Sequence, residues 1–212
     1  GHVRVSGARS SQFLSGLLFL SPLVGECVNI EVVADLVSRP AVRQTLEILA
    51  DSGIAVEASP DLMNFAIAPQ PYLPGQTSIN GDWPGSAALL AAAAVTGSEI
   101  TLTGLRDDNQ GERLSADILR RMGARVEFGT GPDGTPQVRV ADPADEDRLR
   151  GVEFDGDPMT DAVLATIGAA CLAEGRTRIH NVSNLRIKEC DRISEPLAEL
   201  RKLGVRCWEG KE

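Results

Sequence analysis

The chain has 212 residues, a net charge of −9, and 42% hydrophobic against 24% charged residues. That balance is ordinary for a folded globular protein and excludes disorder or a fibrous repeat; the length suffices for one large domain or two small ones. The acidic balance excludes a nucleic-acid backbone as the main partner, because that needs a basic face, yet it leaves room for a local cationic pocket that takes a small anion.

In chain order, the sequence opens on Gly1 without a methionine and runs at once into a strand-like segment, residues 2–6. This opening reads as that of a fragment or a processed chain, and no signal peptide is visible. An apolar helix follows from near Phe13, then a turn containing Gly25 and a strand up to residue 33. Residues 46–58 (LEILADSGIAVEA) read as an amphipathic helix, a glycine and a β-rich run. After Gly81 and Asp82 come a second apolar helix, a turn at Gly97 and an alternating strand over residues 99–102. Residues 116–128 (ADILRRMGARVEF) then repeat the amphipathic helix, glycine and strand. A third apolar helix starts near Ala162, turns at Gly175 and feeds a strand over residues 177–182. A charged run, NLRIKECDR at residues 184–192, leads into a helix over residues 193–203, and LAELRKLGVRCWE at residues 197–209 carries the helix–glycine–strand pattern once more. The most apolar stretches, residues 13–24 and 86–95, are too short to cross a bilayer, so no membrane partner is expected. Cys27, Cys171, Cys190 and Cys207 show no C-x-x-C spacing and read as reduced, mostly buried thiols of a cytoplasmic protein rather than a zinc site or disulfides.

These joints recur, and the recurrence predicts a repeated α/β unit of strand, apolar helix, strand, amphipathic helix, strand, strand. The first copy spans residues 1–76, the second runs from Thr77 to about Asp145, and the third starts near Arg150 and stops before its final strand. A natural chain that continues past Glu212 is the expectation. Gly53, Gly123 and Gly204 suit left-handed helix C-caps. Any α/β protein shows helix–glycine–strand joints; two matched joints in each of three copies favour a repeat. Helices apolar nearly all round must be buried on most sides, so those around Leu18, Ala92 and Ile167 are expected to form an interior layer.

Three places could carry chemistry. Ser10, Ser11 and Gln12 precede the first apolar helix, where hydroxyls and free N–H groups can hold a phosphate or carboxylate, or simply cap the helix. In the run at residues 184–192, Lys188 and Arg192 share a face if the helix begins near Lys188, and Glu189 and Asp191 interleave with them. A solvated, salt-bridged helix start is the plain reading, but cations at a helix N-terminus oppose its dipole, and a bound anion would relieve that. Asp161 opens the third apolar helix and is either a first-turn acid or a proton-transfer group facing an apolar layer. Neither nucleotide-binding glycine motif occurs.

At these residues the sequence resembles the EPSP synthase family of enolpyruvyl transferases. SSQFLSGLL at residues 10–18, DLVSRP at residues 35–40 and above all NLRIKECDR carry the resemblance; the last is similar to the family's N-x-R-x-K-E-x-D-R signature. The resemblance implies two domains, each of three β-α-β-α-β-β units in an inside-out α/β barrel, with residues 1–80 as the last unit of the first domain and residues 81–212 as nearly two units of the second. It implies transfer of an enolpyruvyl group from phosphoenolpyruvate to shikimate 3-phosphate in chorismate and aromatic amino acid biosynthesis, without a metal or organic cofactor, by a monomer when full length. It assigns Ser10, Ser11, Gln12 and Ser38 to the shikimate 3-phosphate site, with Asn184 and Lys188. Asp161 and Glu189 become the acid–base pair, and Arg192 grips the phosphoenolpyruvate carboxylate. Two readings stay beside this one: the sister transferase acting on UDP-N-acetylglucosamine, and a catalytically silent module that keeps the repeat. Ala41 stands where many members have a tyrosine, and Pro84 and Gly85 replace a common pair of serines. The family's N-terminal Lys-Ser…Arg, N-A-G-T and C-terminal Arg/Lys segments have no counterpart.

Overall fold

A computed structural model describes residues 1–141 and 148–210. The chain divides into two compact units, one of Gly1–Ser78 with Asn109–Gly111, the other of Ile79–Asp108 with Glu112–Glu212. The expected end of the second repeat near Asp145 lies outside the described residues.

In the first unit the elements follow as β1 (His2–Ser6), α1 (Ser11–Leu20), β2 (Val28–Val33), α2 (Arg39–Asp51), β3 (Glu57–Ala58) and β4 (Asn64–Ile67). They build one sheet in the order β1-β2-β4-β3, with β1 and β2 parallel and β4 antiparallel to β2 and β3. The sequence VNIEVV in β2 alternates, and Val28, Ile30 and Val32 are the buried set. They meet Leu14 and Leu18 from α1 and Val42 and Leu49 from α2 in one core. Ser15 Oγ and Thr45 Oγ1, 2.7 Å apart, hydrogen-bond the two helices to each other. The chain leaves α2 through Gly53 at φ +79°, where a side chain would clash with the backbone and Leu73 occupies the space of a Cβ.

The second unit runs α3 (Trp83–Val95), β5 (Glu99–Thr103), α4 (Leu114–Met122), β6 (Arg125–Thr130), β7 (Pro136–Ala141), β8 (Glu153–Asp155), α5 (Val163–Ala170), β9 (Arg178–His180) and α6 (Ser194–Lys202). Its strands form an antiparallel sheet in the order β5-β7-β6 and a parallel pair β8-β9. Trp83, Leu90, Leu119, Met122, Val138, Phe154, Met159 and Leu185 share its core, and the Trp83 indole N–H donates to the Arg106 carbonyl at 2.7 Å. Asp82 starts α3 by accepting the Gly85 N–H at 2.9 Å. Gly123 and Gly204 both have positive φ, as Gly53 does, which bears out the capping role read from all three.

Three expectations are corrected. The apolar helices are not covered on most sides: Phe13 and Leu20 of α1 are 58% and 57% exposed, and Leu89 of α3 is 50% exposed. Each helix presses one stripe into its own core, such as Leu14 and Leu18, and leaves the opposite apolar face open. No helix begins at Lys188, whose ψ of −158° is extended; residues Ser183–Ile187 form a 3-10 turn and α6 starts only at Ser194. Lys188 and Arg192 therefore share no helical face. None of the four cysteines is fully buried, since Cys27 and Cys190 lie exposed in loops and Cys171 and Cys207 are half-buried.

Candidate active site

In the first unit the parallel pairing of β1 and β2 carries both strands to the same edge of the sheet, so the helices that follow them start side by side. Two main-chain bonds tie these starts together: the Gly7 N–H donates to Val33 O at 2.9 Å and the Val37 N–H to Gly7 O at 3.1 Å. Gly7 must lack a side chain, because a Cβ there would lie 2.8 Å from Val32 and 2.9 Å from Leu36. Ser10 caps α1, its Oγ accepting the Gln12 N–H at 3.2 Å; Ser11 is buried and Gln12 is exposed. At the neighbouring start, Ser38 adopts φ 52° and ψ 47°, a left-handed conformation rare for a residue with a Cβ, and its side chain makes no capping bond. The Ser38 hydroxyl is therefore not spent on capping α2. Arg39, the next residue, donates Nη1 to the Asp61 carbonyl at 2.5 Å.

The same arrangement recurs in the second unit. Parallel β8 and β9 end at one edge, and there the chain turns into the stretch before α5 on one side and into residues 183–193 on the other. Arg192 lies between the two. Its Nη1 donates to Asp161 Oδ1 at 2.5 Å and its Nη2 to Glu189 Oε2 at 2.6 Å. The guanidinium is mostly buried, 18% exposed, whereas Asp161 and Glu189 are 52% and 78% exposed. Asp161 hydrogen bonding holds the Arg192 pKa above its ordinary value. The Glu189 carboxyl is held below the usual range, first by its own main-chain N–H and then by Arg192, with Lys188 adding a positive field. These contacts favour the ionised form of Glu189, so it takes up a proton less readily while Arg192 is bound to it.

The loop is fixed from behind. Arg192 N–H donates to Leu185 O at 3.1 Å. Asp191 accepts the N–H groups of Ile193 and Ser194 at 2.9 and 3.0 Å, which draw its pKa down to about 2. Arg186 is spent on this support, paired with Asp191 at 3.0 Å and Glu209 at 2.8 Å. Asn184 is 6% exposed; its Nδ2 donates to Asp157 Oδ1 at 3.0 Å, and its Oδ1 has no hydrogen-bond partner. A buried acceptor left unmet is one that a ligand hydroxyl could satisfy.

The family model for EPSP synthase (3-phosphoshikimate 1-carboxyvinyltransferase) covers residues 1–212. The chain belongs to the EPSP synthase family. It is 44% identical over 211 residues to the 3-phosphoshikimate 1-carboxyvinyltransferase of Deinococcus radiodurans, covering 99% of this chain and 46% of that protein. It is 38% identical to the enzyme of the same name from Haemophilus ducreyi, covering 100% of this chain and 47% of that one. The fold is similar to that of the EPSP synthase of Acinetobacter baumannii, with a TM-score of 0.76 at 21% identity over 99% of this chain and 47% of that structure. The chain thus spans about half the length of the relatives it matches.

Of the residues named from the sequence, Asp161, Glu189 and Arg192 meet in direct hydrogen bonds, and Asn184 sits beneath the same strand ends. Among the described residues, Lys188 acts on the group through its field at Glu189. Ser10, Ser11, Gln12 and Ser38 gather at one edge of the first unit. Sequence reasoning missed Glu112, whose Oε1 accepts the Asp161 N–H at 3.4 Å. One acid among several in the polar segment at residues 106–113 carries no signal of its own.

Proposed function

We propose that this chain supplies about half of an enzyme that transfers the enolpyruvyl group of phosphoenolpyruvate to shikimate 3-phosphate, releasing phosphate. The reading is supported by the family membership. The observation that carries it furthest is the shared guanidinium of Arg192, which holds Asp161 and Glu189 on one cation at the strand ends. The chemistry needs such a pair. One group protonates the methylene carbon of phosphoenolpyruvate while a substrate hydroxyl, losing its proton, bonds to the adjacent carbon; that methyl carbon then gives up a proton as the bond to phosphate breaks. Asp161 and Glu189 are the proton carriers in this reading. A substrate carboxylate competes for Arg192 and, by taking one of its N–H forks, frees a carboxylate for proton transfer. Ser10, Ser11, Gln12 and Ser38 take the shikimate phosphate, and Asn184 and Lys188 the rest of that substrate.

The finer architecture belongs to the same proposal. The first unit follows the order β-α-β-α-β-β, and the order α3-β5-α4-β6-β7 follows it again without the opening strand. These orders support repeated units of an inside-out α/β barrel, residues 1–80 closing one domain and residues 81–212 belonging to the next. The protein is taken to act as a cytoplasmic monomer. Among the described residues no helix is long and apolar enough to cross a membrane. Phosphate release with both substrates, measured on a protein extended to the length of its relatives, tests the function. Turnover that depends on shikimate 3-phosphate supports it; release with a UDP-sugar acceptor instead would reassign the substrate.

A further inference from the structure

Asp161 must point its carboxylate at Arg192 from the last turn before α5, where the preceding 3-10 turn Asp157–Met159 ends and the helix begins at Val163. Its side chain is half exposed, so packing alone does not hold it. The group that reaches its main chain is Glu112, which follows the loop after β5 and precedes α4. Glu112 Oε1 accepts the Asp161 N–H at 3.4 Å, a long bond but one made by a half-buried carboxyl across 49 residues of sequence. We propose that Glu112 is a positioning residue for Asp161: its side-chain oxygen holds the main-chain N–H from which the Asp161 carboxylate is aimed at the Arg192 guanidinium.

The electrostatics agree with this placement. Burial raises the Glu112 carboxyl above its ordinary range, while its own N–H and that of Asp161 pull the other way. The charged groups that face it are Asp161 and, at the cap of α3, Asp82, both of which oppose its ionisation. Glu112 keeps its proton further up the pH scale than a solvated glutamate, and so can sit beside Asp161 with less repulsion. Its link to turnover rests on the transferase reading; its link to Asp161 does not.

Two measurements decide it. In the 212-residue chain, nuclear magnetic resonance follows the Glu112 carboxyl carbon and the Asp161 amide through the carboxylate range and above. The Asp161 amide is expected to shift with the midpoint of Glu112, and to lose that response in Glu112→Gln. An amide that stays flat while Glu112 titrates overturns the proposal, as does a response that survives in Glu112→Gln. In the extended enzyme, Glu112→Ala is expected to lower kcat by about 10- to 100-fold through misplacement of Asp161. The KM for shikimate 3-phosphate should change little, and Glu112→Gln should recover most of the loss because its amide oxygen still accepts the N–H. A folded Glu112→Ala enzyme with unchanged kcat overturns the role. An inactive parent enzyme in which the Asp161 amide still follows Glu112 supports the positioning and removes the transferase reading instead.

Discussion

At the scale of single residues, Arg192 is the group on which most depends. Its guanidinium is mostly buried and bound to two carboxylates, so replacing it leaves Asp161 and Glu189 without the group that joins them. Arg192→Lys keeps a charge but loses the planar fork that serves both oxygens at once. In the extended enzyme it is expected to lower kcat by about two to three orders of magnitude, the usual effect of losing one preorganised electrostatic group; a fall of less than about threefold in steady-state assays would count against the assigned site. Ser38 tests strain against function. Its left-handed conformation costs roughly 1–2 kcal/mol in a residue with a Cβ, whereas glycine loosens the unfolded chain by about 0.4–1 kcal/mol. Ser38→Gly should therefore unfold at a slightly higher denaturant concentration while binding shikimate 3-phosphate more weakly in calorimetry. Asp191 supplies a pH signature. Its carboxyl is drawn down to about 2 by the N–H groups that open α6, so its contribution to stability is complete above the ordinary aspartate value and lost as pH falls toward 2. Asp191→Asn removes that dependence, and acid unfolding curves of the variant should flatten in this window relative to the parent.

At the scale of elements, the joints were legible and the surroundings were not. Gly53, Gly123 and Gly204 could be read as caps because a positive φ after a helix selects glycine locally, and the backbone has it at all three. The strand alternation of β2 was legible for the same local reason. The apolar faces of α1 and α3 misled because composition tells how apolar a helix is, not which side finds a partner. The helix read over residues 193–203 matches α6, but the alternative start near Lys188 fails: charge pattern alone could not show that residues 183–187 would form a 3-10 turn and that Asp191 would accept the N–H groups at the start of α6. Among the site residues, the charged run pointed to Glu189 and Arg192, but their meeting with Asp161 depends on parallel pairing of β8 and β9. Glu112 was invisible because its significance lies in a contact 49 residues away in sequence. The two faces of α1 give a direct test. Leu18 is fully buried, so Leu18→Ala should destabilise by about 2–5 kcal/mol in denaturant unfolding. Phe13 is 58% exposed, and Phe13→Ser should stay within about 0.5 kcal/mol of the parent. Equal losses at both positions would mean that the outer face of α1 is covered in solution.

At the scale of the whole molecule, charge decides what the chain can do alone. Phosphoenolpyruvate and shikimate 3-phosphate are both multiply charged anions, and the chain carries −9. Bringing two such anions together needs converging cations, because their repulsion grows as water is excluded and the effective dielectric falls. The cations described at the two candidate sites are largely committed: Arg186 to Asp191 and Glu209, Arg39 to the Asp61 carbonyl, and Arg192 to Asp161 and Glu189. Lys188 alone of these four makes no ion pair or hydrogen bond among the described residues. One uncommitted ammonium cannot offset two multivalent anions. The relatives it matches are about twice as long, and the resemblance places further cations in segments that have no counterpart here. Each missing preorganised group removes about two to three orders of magnitude in rate. The 212-residue chain is therefore expected to release phosphate from the two substrates at background rate, while a protein extended to the length of its relatives turns over. The comparison is made at low and high salt, since a site assembled from converging cations weakens as the Debye length shortens. Robust turnover by the 212-residue chain alone would overturn this assignment of cations, and with it the site built around Arg192.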